Sequence, residues 1–374
     1  MNKPYNAAKV VNLAGAMVAY LIGSGFASGQ ESLQFFTAFG TWGCLGAGIC
    51  AGALYLFFST VIMEDGRKLR LTQSNDIFRY YCGRYVGTFY EWYTPFFLFL
   101  VFVVMISGAG SILHEYYGLH PLIGRALMAG LSLAVVLLGL NRMIDIIGKI
   151  GPVIIVFAIV VGLANIYLSA DGFAGADATL AVIEVNRAAP TWYLSGIIFA
   201  AFGCILAAPF LARIGATTSS ATEARLGGGL GAATFIVACM VMAYGLMASI
   251  GDIHAKNVPA LVLADKMFPA VGVVFSLVLF GAVFSTAVPM LWLSCNRIST
   301  DEKSGKFRTA AVILTMIAFL GGQLPFAKLV NTIYPFTGYL GILLILCIGI
   351  RYFRAAVPTA HAVPEGNGDI PISK

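Results

Sequence analysis

Charge is scarce in this chain: Asp, Glu, Lys and Arg make up 11% of its 374 residues. So little charge, beside 59% hydrophobic residues, excludes an ordinary soluble domain. Paired cysteines are also missing. Of seven, Cys44, Cys50, Cys204, Cys239, Cys295 and Cys347 fall inside apolar runs and Cys82 lies in a basic loop, so neither a disulfide framework nor a zinc site is implied. No nucleophile elbow, no H-E-x-x-H and no pair of carboxylates at membrane depth is found, which argues against an enzyme, and no cofactor is called for. The charge balance, 23 Lys+Arg against 17 Asp+Glu, is better explained by a basic cytoplasmic face than by a nucleic-acid partner.

What is present is apolar length. Windows of about 20 apolar residues, enough to cross the hydrocarbon of a lipid bilayer, recur at roughly 8–38, 41–63, 88–112, 121–140, 143–169, 191–213, 226–250, 269–297, 309–324 and 328–350. The sequence therefore predicts an all-α polytopic membrane protein with ten transmembrane helices. The first window follows Lys3 and Lys9 as a signal peptide would, but the apolar pattern resumes through Phe35 and Phe36, so it is read as a retained first span. With the N-terminus inside, all but five of the 23 basic residues fall on or near the cytoplasmic side. The exceptions are Arg125, Arg187, Lys256, Lys266 and Lys328. Both termini are then cytoplasmic, and the expected location is a bacterial inner membrane.

The hydrophilic stretch 170–190 lies outside in this topology and divides the chain into a first five-helix repeat, 1–169, and a second, 191–354. Residues 355–374, rich in Ala, Pro and Gly, are expected to form a disordered cytoplasmic tail. Halves with an odd number of helices have opposite orientations, so a duplication would be an inverted repeat. Corresponding interruptions support one: Gly23-Ser24-Gly25 in the first span, and Gly203-Cys204 followed by Ala207-Ala208-Pro209 in the sixth. Discontinuous helices 1 and 6 are therefore expected.

The stretch "GSGFASGQE", residues 23–31, is the strongest chemical signal. Each glycine lowers helix stability by about 1 kcal/mol relative to alanine, and backbone groups freed at membrane depth are costly unless buried in protein or lining a cavity. Close helix packing would also explain the glycines, but not the nearby Ser24, Ser28, Gln30 and Glu31. Gln30 and Glu31 are candidates for gating or proton transfer. A carboxylate in the first turn of an outer half-helix could instead serve as a cap.

In the eighth span, Ala282, Ser285 and Thr286 stand at i, i+3 and i+4, so a carbonyl and two hydroxyls can face one point. Hard oxygen ligands suit a small cation such as sodium; the competing reading is hydroxyls bonding back to their own helix.

Taken together, these features resemble the LeuT-fold transporters of the amino acid-polyamine-organocation superfamily. More narrowly, "GSGFASGQE" followed by "FFTAFGTWG" resembles the YkvI-like family of bacterial membrane proteins. The resemblance implies a secondary transporter moving a small organic solute, an amino acid or related zwitterion, by alternating access. It implies a sodium ion between helices 1 and 8, held by carbonyls of Ala19 and Ile22 and by Ala282, Ser285 and Thr286. Substrate would lie between Ser24, Gly25 and Phe26 of helix 1 and Phe202, Gly203 and Cys204 of helix 6. A proton-coupled transporter using Glu31, and a solute sensor on the same fold, remain the alternatives.

Overall fold

A computed structural model describes residues 5–71, 73, 75–139 and 151–356. Among the described residues there is no strand. The first expected span is three helices in series: α1 (Ala7–Leu21), α2 (Ser24–Ser28) and α3 (Gln30–Phe35), followed by a 3-10 turn at Thr37–Phe39. Then come α4 (Gly40–Leu69), α5 (Asp76–Tyr117), α6 (Pro121–Leu138) and α7 (Gly151–Leu168). Two short helices, α8 (Ala170–Ala174) and α9 (Ala176–Leu180), precede α10 (Trp192–Gly215) and α11 (Ala221–Met247). The chain closes with α12 (Ile250–Ile253), α13 (Pro259–Met267), α14 (Pro269–Ile298), α15 (Gly305–Gly321) and α16 (Phe326–Ala356). Seven described helical stretches are long and apolar enough to cross a membrane. Helices overlap each of the ten expected windows, but α1 and α15 have 15 and 17 residues, and positions 143–150 of the fifth window lie outside the described residues. The expected tail lies outside the described residues from position 357 onward.

Local chemistry sets the helix ends. The Asn6 side chain accepts from the amides of Ala8 and Lys9 at 3.0 and 3.4 Å and starts α1. Arg70, at φ 44°, ends α4, and Gly83, at φ 72°, bends α5 sharply. An ion pair between Arg79 and Glu91, 2.6 Å, ties the two sides of that bend. Glu115, at the end of α5, accepts from the amides of Asn257 and Val258 at 2.7 and 3.0 Å and caps α13 from another element.

The helices sort into two packed groups. In one, α4 lies against both α10 and α11, and α1 lies along α11. In the other, α5 lies against α14 and α6, and α15 packs on α14 and α6. Contacts of α16 with α10 and α5 join them. Small residues allow the closest approaches. A Cβ on Gly66 or Gly215 would collide with the backbone of Ala212 or Met63 across the α4–α10 contact.

One expectation is corrected. The sixth span is not discontinuous: α10 runs unbroken from Trp192 to Gly215 with Pro209 inside it. Gly203 has a packing role, because a Cβ there would overlap the hydroxyl of Tyr55 on α4. The connection 170–190 is also more than a link. Asp177 of α9 accepts from the Thr41 amide at 2.8 Å, and the Ala188 amide donates to the Gln34 carbonyl at 3.1 Å.

Candidate functional site

The break in the first span is built by Ile22 and Gly23. The Ile22 amide still donates to Val18 O at 2.8 Å, but Gly23 is extended, and its amide turns to Leu21 O at 3.0 Å. The carbonyl of Ala19, four residues before Gly23, thereby loses its helical donor. The Ile22 carbonyl likewise takes no bond from the Phe26 amide among the described residues. A second change of direction follows at Gly29, whose φ of 83° lets α3 leave α2 at an angle. The Ser28 hydroxyl donates to Gly25 O at 2.9 Å and accepts from the Gln30 amide at 3.3 Å, bridging the two helices.

Glu31 turns back from α3 toward the break. Its carboxylate lies so close to Gly25 that a Cβ on Gly25 would overlap it. It is buried, 8% exposed, and among the described residues it has neither a hydrogen-bond donor nor an ion-pair partner. Capping is thus not its role in this geometry. Together with Gly23, Gly25, Phe202, Gly203 and Thr286 it lines a small cavity, about 40 Å³, between the break and α10 and α14. Tyr55 of α4, Phe97 of α5, Phe235 of α11 and Tyr334 of α16 complete an aromatic wall. Phe202 stacks on Tyr334 with centroids 5.1 Å apart, and Tyr55 lies 5.2 Å from Phe235. The hydroxyls of Tyr55 and Tyr334, both buried, have no hydrogen-bond partner among the described residues.

The two sides of this cavity are closed differently. Toward Arg187, polar side chains make a continuous seal. Gln30 Nε2 donates to Lys256 O at 2.6 Å, and Gln34 Nε2 donates to Gln30 Oε1 at 2.8 Å and Ala327 O at 2.9 Å. Asn331 Nδ2 donates to Gln34 Oε1 at 3.0 Å and Arg187 O at 3.1 Å. Phe35, Phe36 and Phe199 are fully buried beside it. Toward Arg213 and Arg297 the closure is thin. Tyr20 stacks on Phe210 with centroids 4.2 Å apart and donates to Leu206 O at 3.2 Å. Tyr20 and Leu206 border both the small cavity and a larger one, about 590 Å³, lined by Asn75, Thr94, Arg213, Asn296 and Arg297.

On α14, the Ser285 and Thr286 hydroxyls donate to Ala282 O at 2.8 and 3.2 Å. That carbonyl therefore accepts two hydrogen bonds within its own helix and, unlike the expectation from sequence, is not free for an ion, while the oxygens of Ser285 and Thr286 keep lone pairs. Gly23 faces this turn directly, a Cβ there lying 3.6 Å from Thr286 Oγ1.

Of the residues singled out by sequence, Gly25, Phe202, Gly203, Glu31 and Thr286 meet at the small cavity. Phe26 and Cys204 are buried behind it, and Phe26 packs 6.5 Å from Phe235. Gln30 belongs to the polar seal, Ile22 is buried, and Ala19 is exposed. The backbone of Ser24 opens α2. Sequence reasoning missed Tyr20, Tyr55, Phe97, Phe235 and Tyr334. Each lies in a long apolar window where aromatic residues are plentiful, and only the polar hydroxyls of the three tyrosines distinguished them.

The broken first helix, the two helix groups and the cavity between them define a LeuT-like membrane fold. A crystal structure of MhsT in complex with L-phenylalanine shares this fold at a TM-score of 0.57 and 16% identity, covering 93% of this chain and 89% of that one. In sequence, the chain is 25% identical over 331 residues to the uncharacterized membrane protein YkvI of Bacillus subtilis (strain 168), covering 88% of this chain and 92% of YkvI. It is 23% identical over 329 residues to the protein YyaD of the same organism, again covering 88% of this chain and 92% of the relative. No protein-family model matches the chain.

Proposed function

We propose that the chain is a secondary active transporter of the bacterial cytoplasmic membrane, with both termini inside, carrying a small organic solute by alternating access. The observation that carries this reading is the small cavity at the α1–α2 break, sealed by polar hydrogen bonds on one side and by the Tyr20–Phe210 stack on the other. The MhsT structure, whose fold is shared, contains L-phenylalanine, which supports an amino acid or a related amine as solute. The group α1, α4, α10 and α11 would rock against α5, α6, α14 and α15, exposing the cavity alternately. An inverted repeat of residues 1–169 and 191–354, joined by 170–190, suits such a motion.

Sodium is the coupling ion in this reading. The donor set fits it: the Ala19 and Ile22 carbonyls are released by the break, and Ser285 and Thr286 supply hydroxyl oxygens across from Gly23. An ion held there would join α1 to α14 and link solute affinity to sodium. Uptake into proteoliposomes is expected to fall to background when choline replaces sodium. Ser285→Ala combined with Thr286→Ala is expected to abolish the sodium dependence. Sodium-independent uptake by the parent chain that is lost in Glu31→Gln would instead favour proton coupling, the second reading, which rests on the unpartnered Glu31. Solute binding with no uptake in either ion would indicate a sensor.

A further inference from the structure

The charge of the solute can be argued from what surrounds the cavity. Among the described residues, its lining contains one carboxylate, Glu31, and no Lys, Arg or His side chain. That carboxylate is buried and unpartnered, a costly state for a charged group unless a cation joins it. It also occupies the space beside Gly25 at the start of α2, where free backbone amides would otherwise meet the carboxylate of an amino acid. A solute carboxylate would therefore meet the Glu31 carboxyl group with no cationic side chain in the lining to pair with. The wall also carries the aromatic rings of Tyr55, Phe97, Phe202, Phe235 and Tyr334, set beside aliphatic side chains such as Val101 and Met290. Such rings present negative faces to a cation and hydrophobic area to its carbon atoms.

The geometry points to a compact organic ammonium ion, without a carboxylate of its own, as the solute, with Glu31 as its counter-ion and the Tyr55 and Tyr334 hydroxyls as further acceptors. The inference rests on the transporter reading and narrows its solute. A cavity of about 40 Å³ bounds the size: it holds roughly three water molecules, matching an amine of about four non-hydrogen atoms. Glu31, as the partner of the bound cation, binds substrate directly and differs from a residue that only shapes the helix break.

The experiment uses the purified full chain and four compact probes that differ in charge: ethanolamine, ethylene glycol, glycolate and glycine. Ethanolamine is expected to raise the melting temperature in a saturable manner, and the other three to leave it unchanged. Glu31→Gln is expected to weaken ethanolamine binding by roughly ten- to a hundredfold, the loss of one charge-assisted contact. Glu31→Asp, which keeps the charge on a shorter stem, should retain part of it. If Glu31→Gln does not fold, Glu31→Asp with Tyr55→Phe carries the test, each being expected to weaken binding. The inference is overturned if glycine or glycolate stabilises the chain as well as ethanolamine does, if none of the four binds, or if the folded variants bind ethanolamine like the parent. Its failure is separable from that of the transporter reading. Glycine binding with uptake removes the ammonium inference and keeps the transporter, whereas ethanolamine binding without uptake or exchange in proteoliposomes keeps the ammonium site and removes the transporter.

Discussion

A single methyl group added at position 25 or 203 would enter the middle of the candidate site. At Gly25 it would displace the Glu31 carboxylate, and at Gly203 it would push the Tyr55 hydroxyl out of the cavity wall. Both substitutions leave the helical backbone allowed, since neither glycine has a positive φ. Their effect is therefore on packing, where an extra methyl in a filled interior costs about 1–3 kcal/mol. Gly203→Ala is expected to lower the melting temperature and abolish solute binding while preserving the helical circular dichroism spectrum. Gly203→Ala combined with Tyr55→Phe, which removes the overlapping oxygen, should recover part of the stability. A Gly203→Ala chain that melts and binds like the parent would show that the Tyr55 contact does not constrain the site.

At the scale of elements, the two interruptions expected from sequence met different ends. Three glycines among Ser24, Ser28, Gln30 and Glu31 were legible as a break because seven of the nine residues 23–31 disfavour a continuous membrane helix. Gly203 and Pro209 looked similar, yet α10 is continuous. The partner of Gly203 is Tyr55, far away in sequence, and a glycine serving a long-range contact has the same local signature as one that breaks a helix. Helix α13 was missed for a related reason: Asp265 and Lys266 interrupt its apolar pattern, and its start is stabilised by Glu115 from another helix. The aromatic wall was hidden because tertiary folding alone selects five rings from an aromatic-rich chain. The joint between α2 and α3 offers a direct test. Gly29 has φ 83°, and a Cβ there would lie 3.1 Å from the Ala260 amide nitrogen. Gly29→Ala should lose about 1–2 kcal/mol from the left-handed backbone alone, with more from the contact, measurable as a reduced midpoint in detergent-resistant unfolding. An unchanged midpoint would mean that α3 can leave α2 by another path.

Over the whole molecule, the unequal closures give the structure a direction. Toward Arg187, separation of α3 from its neighbours requires loss of the hydrogen bonds of Gln30, Gln34 and Asn331, together with exposure of Phe35 and Phe36. Toward Arg213, rotation of the Tyr20 ring from Phe210 would join the small cavity to the larger one. One buried hydrogen bond contributes on the order of 1 kcal/mol and an aromatic pair about as much, so the Arg213 side opens at lower cost. The conformation is thus closed outward and nearly open inward, in the orientation proposed from the basic residues. Tyr20→Ala should tip it to inward-open. With Met290, which lines the small cavity, replaced by cysteine as a reporter, Tyr20→Ala is expected to accelerate labelling by a membrane-impermeant thiol reagent in inside-out vesicles, above the rate of the native cysteines. In right-side-out vesicles the same variant should label no faster than Met290→Cys alone. Gln34→Ala should do the opposite, because it cuts the seal on the other face. Equal labelling of both variants from both sides would show that neither cluster governs access, and the gates would then have to be sought elsewhere along α1 and α10.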